Sequence, residues 1–76
     1  MASNVIVYSK PQCVQCEHTK SYLDRKGVVY EVVDISEDQE ALEKLTSLGY
    51  RQVPVVQFGD QHWSGFQPAK LNSISN

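Results

Sequence analysis

Two residues of this chain can exchange electrons with another sulfur, Cys13 and Cys16, and they are its only cysteines. They stand in Cys13-Val14-Gln15-Cys16, after an apolar run, Val5-Ile6-Val7-Tyr8, and a Ser9-Lys10-Pro11-Gln12 breaker. Thiols at this spacing on the first turn of a helix can close a disulfide with little backbone movement, so the pair suits reversible dithiol–disulfide chemistry. The thiolate is the reactive form, and a free cysteine at neutral pH is mostly thiol. At a helix N-terminus, unsatisfied backbone N–H groups and the positive end of the dipole favour the thiolate of the leading residue. Its pKa is thereby expected to fall into the range of about 3.5 to 7.5. Cys13 is therefore predicted to attack a substrate disulfide. Cys16, one turn in and toward the core, is predicted to stay protonated until it resolves the mixed disulfide. Lys10 either adds positive charge near this site or stands in solvent.

Other readings of the pair are weaker. A structural zinc site needs four ligands, and only His18 and His62 could join the two cysteines. His18 follows Cys16 by two residues, which on a helix turns it to a different face. A passive disulfide closing so small a loop would add little stability in a reducing compartment. A dimer bridging an iron–sulfur cluster is the remaining non-catalytic alternative, and the lack of a second cysteine pair opposes it.

The 76 residues suffice for one domain, 1–76, with a compact core and no room for a second catalytic unit. Two cysteines are too few for the stapled framework of a small secreted protein, which leaves the dithiol free to cycle. The start, Met1-Ala2-Ser3-Asn4, has no basic region, and the apolar run after it is four residues long. Neither a signal peptide nor a membrane span is expected, and a cytoplasmic monomer is the predicted setting. A net charge of −2, with seven scattered basic residues, argues against nucleic acid as a partner and leaves small molecules and proteins.

The elements that would position the dithiol can be taken in order. Val5 to Tyr8 suits a buried strand. Val14 to Lys26 suits a helix, with Cys16, Thr19 and Leu23 inward, Tyr22 alongside, and Gly27 as its stop. Val28 to Val33 predicts a second, parallel strand. Ser36 and Gln39 fit a capping box opening a helix with Ala41, Leu42, Leu45 and Leu48 on one stripe, Glu40 paired with Lys44, and Gly49 at its end. Val53 to Phe58 and Gln61 to Ser64 read as a hairpin closed by Gly59-Asp60, with Pro54 at the strand's beginning. Gly65 ends the hairpin, Pro68 suits the start of a last helix with Leu71 and Ile74 as its contacts, and the tail to Asn76 is expected to fray. The predicted α/β order is β-α-β-α-β-β-α, a four-stranded mixed sheet flanked by three helices, the first and last on one face and the middle one on the other.

That order resembles a minimal thioredoxin-like fold, and three segments sharpen the likeness. Cys13-Val14-Gln15-Cys16, Arg51-Gln52-Val53-Pro54-Val55-Val56 and Trp63-Ser64-Gly65-Phe66-Gln67-Pro68 together resemble the glutaredoxin-like redoxins of the NrdH type. The likeness spans Asn4 to Leu71. It implies a dithiol–disulfide oxidoreductase that donates electrons to a class Ib ribonucleotide reductase and is itself reduced by thioredoxin reductase. NADPH and FAD would then act through that partner reductase, with no cofactor bound by this chain beyond the redox-active Cys13–Cys16 disulfide. It implies, too, a cis peptide before Pro54, presenting a backbone edge to an incoming polypeptide. The candidate partner-contact residues are Lys10, Pro11, Val14, Gln15, Val53, Pro54, Trp63, Ser64, Gly65 and Phe66. Of these, Val14, Val53, Pro54, Trp63 and Phe66 are expected to form an apolar surface around Cys13. Trp63 and Phe66 have an equally plain reading as packing residues.

Glutaredoxins that use glutathione usually carry Gly-Gly-x-Asp after the hairpin, whose acid holds the tripeptide's amino group. This chain has Ser64-Gly65-Phe66-Gln67 there, so glutathione is expected to bind poorly, and a glutathione-dependent glutaredoxin is the enzymatic alternative. The family commonly has arginine where this chain has Gln67, a residue with fewer donors and no charge. His62 is expected to be a solvent-facing strand residue, and Tyr8, Tyr30 and Tyr50 to serve packing.

Overall fold

The computed structural model describes residues 5–74, so the expectations for Met1-Ala2-Ser3-Asn4 and for Ser75 and Asn76 lie outside the described residues. Seven elements follow in order: β1 (Val5–Ser9), α1 (Val14–Lys26), β2 (Glu31–Asp34), α2 (Gln39–Ser47), β3 (Val55–Phe58), β4 (Gln61–Ser64) and α3 (Pro68–Asn72). The strands form one mixed sheet in the order β2-β1-β3-β4. β1 runs parallel to β2, with Val7 opposite Val32, and antiparallel to β3, with Val7 opposite Val56. The β3–β4 hairpin sets Val56 opposite Trp63.

Because side chains alternate across a strand, β1 feeds two cores. Val5 and Val7 face α1 and α3, where they meet Leu23, Val28, Val56, Trp63, Leu71 and Ile74. Ile6 and Tyr8 face α2, where Leu45 and Val55 are the other buried partners. This is the predicted arrangement of helices about the sheet.

The first helix has the bounds its pattern predicts, and its inward residues Cys16, Thr19 and Leu23 are all fully buried. Its end differs from the expected strand start. Gly27 adopts a left-handed φ of 77°, its N–H donates to the Asp24 carbonyl, and the Val28 N–H donates to the Leu23 carbonyl at 3.0 Å. That bonding pattern closes the helix and takes Val28 into the core beside Leu23, so the strand begins at Glu31 and not at Val28. Between them, the Tyr30 hydroxyl donates to Asp24 Oδ1 at 2.9 Å. Burial, reinforced by the Asp24 carboxylate, pushes the Tyr30 pKa up to about 12.

The α2 cap is also corrected. Asp38, not Ser36, caps the helix, its carboxylate accepting from the Ala41 N–H at 3.1 Å. Ser36 is committed elsewhere, since both its N–H and its hydroxyl donate to Asp34 Oδ1, at 2.9 and 2.6 Å. Lys44, expected to pair with Glu40, turns instead toward the sheet and donates to the Tyr8 hydroxyl at 3.2 Å and to Gln57 Oε1 at 3.1 Å. Of the predicted apolar stripe only Leu45 is buried, whereas Leu42 and Leu48 remain 38% and 45% exposed.

Candidate functional site

β1 ends at Ser9, whose carbonyl accepts from the Ile35 N–H. The chain then turns through Pro11 and Gln12, the latter at a left-handed φ of 61°, and enters α1 at Cys13. Lys10 and Pro11 are exposed in this turn. Cys13 itself is the N-cap, extended in backbone, and its Sγ accepts from the Cys16 N–H at 3.1 Å while its carbonyl accepts from the Glu17 N–H. A side-chain acceptor at this position satisfies one of the helix's free donors, and a sulfur carrying negative charge accepts that bond more strongly.

Cys13 and Cys16 are joined by a disulfide, with Cα atoms 5.2 Å apart. Cys13 is half-buried and Cys16 has no exposed surface. One sulfur can thus meet another molecule while its neighbour cannot. No group of three or more His, Cys, Asp or Glu side chains suited to a metal ion occurs among the described residues. The two histidines that a zinc site would need are engaged elsewhere. His18 packs on the Phe66 ring, and His62, though exposed on β4, lies edge-on to Tyr50 with Nδ1 against the Tyr50 hydroxyl.

Two further segments border the dithiol. The Val53–Pro54 peptide is cis, and the Val53 carbonyl oxygen lies 3.8 Å from Cys13 Sγ. Gly65, at a φ of 82°, donates its N–H to the Pro54 carbonyl at 2.7 Å, which fastens the loop after β4 to the proline turn. Within that loop Gln67 Nε2 donates to the Ser64 carbonyl at 2.7 Å. A glutamine where the resemblance implies arginine therefore still closes the loop, with one uncharged bond.

The expected apolar surface is only partly apolar surface. Val14 is 70% exposed beside Cys13, and Val53 and Phe66 are half-buried. Trp63 is 3% exposed and belongs to the core between sheet and helices, and the Pro54 ring is fully buried. Their side chains back the surface and do not form it. Trp63 alternates inward on β4, opposite Val56, which is the packing alternative for that residue. Phe66 meets the Tyr22 ring edge-on at 6.2 Å and the His18 ring at 5.8 Å, and it packs half-buried against the margin of the core on the α1 side. One contact had no sequence signal. The Phe66 N–H donates to the side-chain oxygen of Gln15 at 3.4 Å, across 51 residues of sequence.

A dithiol on the first turn of a helix, set at the end of a parallel strand in this sheet, defines a thiol–disulfide oxidoreductase of thioredoxin-like fold. Residues 5–63 match the glutaredoxin family, and the chain belongs to that family, among its NrdH-type redoxins. It is 39% identical over 70 residues to the glutaredoxin-like protein NrdH of Escherichia coli K12, covering 92% of this chain and 86% of that one. The solved structure of NrdH-redoxin from Escherichia coli, described as having a thioredoxin-like activity profile, superposes with a TM-score of 0.92 over 95% of both chains at 38% identity. A glutaredoxin from Archaeoglobus fulgidus superposes with a TM-score of 0.83 at 35% identity, over 95% of this chain and 85% of that one.

Proposed function

We propose that this redoxin carries electrons from thioredoxin reductase to a class Ib ribonucleotide reductase, as a cytoplasmic monomer. Cys13 is the attacking sulfur. Its thiolate displaces one sulfur of the substrate disulfide, which leaves as a thiolate and takes up a proton, and a mixed disulfide remains on Cys13. Cys16 then gives up its proton and attacks Cys13 Sγ, releasing the second substrate sulfur. Two electrons and two protons pass to the substrate, and the Cys13–Cys16 disulfide forms. Thioredoxin reductase, using NADPH through its FAD, returns the pair to the dithiol.

The observation that carries this reading is the inequality of the two sulfurs, one half-buried at the helix cap and the other without exposed surface. The E. coli relative's thioredoxin-like profile supports a reductase and not glutathione as the source of electrons. So does the loop 64–67, where the residue in place of a glutathione-holding acid is Gln67, already bonded to Ser64. The incoming polypeptide would lie along the Val53–Pro54 edge, with Val14 and Phe66 at its sides and Lys10, Pro11, Gln15, Ser64 and Gly65 around the rim.

The test follows NADPH oxidation through thioredoxin reductase and, separately, through glutathione and glutathione reductase. Turnover with thioredoxin reductase is expected, and turnover with glutathione alone overturns the proposal. Cys13→Ser is expected to abolish reduction of protein disulfides, while Cys16→Ser accumulates mixed disulfides with them. An exchange of those two phenotypes reverses the roles assigned to the sulfurs.

A further inference from the structure

Gln15 lies between the two cysteines, and its side chain is turned away from the core toward the loop after β4. Successive amides of that loop point to opposite borders of the site. The Gly65 N–H goes to the Pro54 carbonyl at 2.7 Å, and the Phe66 N–H goes to Gln15 Oε1 at 3.4 Å. The approach is close, for a Cβ placed on Gly65 would stand 3.8 Å from that same oxygen. Phe66 is thus held by the loop's own closure, by its ring contacts on α1, and by one bond that starts inside the dithiol turn.

We propose that Gln15 is a positioning residue that acts through Phe66: its side-chain carbonyl holds the Phe66 amide and so fixes the apolar wall against which a partner polypeptide is laid beside Cys13. This deepens the function proposed above and rests on it. The chemistry of the side chain fits the task. The Phe66 N–H needs only an acceptor, which a carboxylate would also supply, but a carboxylate two residues from Cys13 would place negative charge beside the sulfur that must ionise. A neutral amide gives the bond without that penalty.

The test compares the unsubstituted protein with Gln15→Leu and Gln15→Glu by two readouts. One is hydrogen exchange of the Phe66 amide, and the other is saturation kinetics of insulin disulfide reduction by the pre-reduced protein. For Gln15→Leu, Phe66 exchange and the half-saturating insulin concentration are each expected to rise about fivefold, a change typical of losing one hydrogen bond, with a smaller change in the limiting rate. Gln15→Glu is expected to restore Phe66 protection and the half-saturating concentration, while its limiting rate falls. The proposal is overturned if Phe66 exchanges equally in the unsubstituted and leucine proteins, if leucine lowers only the limiting rate, or if glutamate fails to restore protection. Neither readout uses thioredoxin reductase, so failure of the electron-donor reading shows separately, as absence of NADPH oxidation by the unsubstituted protein.

Discussion

The two faces of the sheet are built differently. On the side of α1 and α3, eight residues from five segments are buried together, whereas on the side of α2 the buried set is Tyr8, Leu45 and Val55. The thicker layer holds the helix whose first turn carries the dithiol. The thinner one is supplemented by polar bonds, Lys44 reaching the Tyr8 hydroxyl and Gln57, and it leaves Leu42 and Leu48 partly uncovered. Buried packing is therefore concentrated behind Cys13, beneath the helix whose first turn carries the Cys13–Cys16 disulfide.

The sharpest way to break this contrast is to open the thick layer. Leu23→Ala removes a side chain with no exposed surface and is expected to cost about 3 to 4 kcal/mol. That is a large part of the roughly 4 to 11 kcal/mol available to a domain of this size. Leu45→Ala, in the thin layer, is expected to cost about 2 kcal/mol, because the half-covered neighbours can close on the space. Urea unfolding of both variants measures the difference, and equal losses would show that the two layers are not mechanically distinct. Lys44→Met comes next. It deletes both donors to Tyr8 and Gln57, with an expected loss of about 1 kcal/mol that a Leu45 variant should not add to independently.

The smallest effect lies at the seam between α1 and β2. The Tyr30 pKa is raised in the fold from 10.0 to about 12, so the unfolded chain ionises first as pH rises. Stability from the neutral phenol is fully present below pH 10.0 and is lost progressively as pH climbs through about 12. Tyr30→Phe is expected to lower stability by about 0.5 kcal/mol at neutral pH and to remove this residue's share of the alkaline loss, both measurable by denaturant titration.

Much of the fold was legible because its signals are local. The CxxC pair, the α1 period, Gly27, the Gly59-Asp60 turn and Pro68 each impose one backbone outcome within a few residues, and all stand where the pattern placed them. The misreadings share a different cause, competition between partners. Val28 has strand propensity, but the end of α1 offered its N–H a carbonyl and its side chain a place by Leu23. Ser36 has the right type for a cap, yet Asp34 took its hydroxyl and Asp38 was left to cap α2. Lys44 had an acid one turn before it and found Tyr8 and Gln57 across the fold. At the site, the cysteines could be found from spacing. The Gln15–Phe66 bond could not, because nothing in either residue's neighbours indicates a partner 51 positions away.

Trp63 is the chain's single tryptophan, 3% exposed, with Lys70 Nζ 5.7 Å from its ring and an indole N–H that has no hydrogen-bond partner among the described residues. An indole so shielded from water fluoresces toward the blue, and this one sits wholly within the layer shared by α1 and α3. The molecule thus contains its own optical gauge for that layer alone. Far-ultraviolet dichroism follows all three helices, so a lag between the two signals during denaturation would reveal the α2 side loosening first.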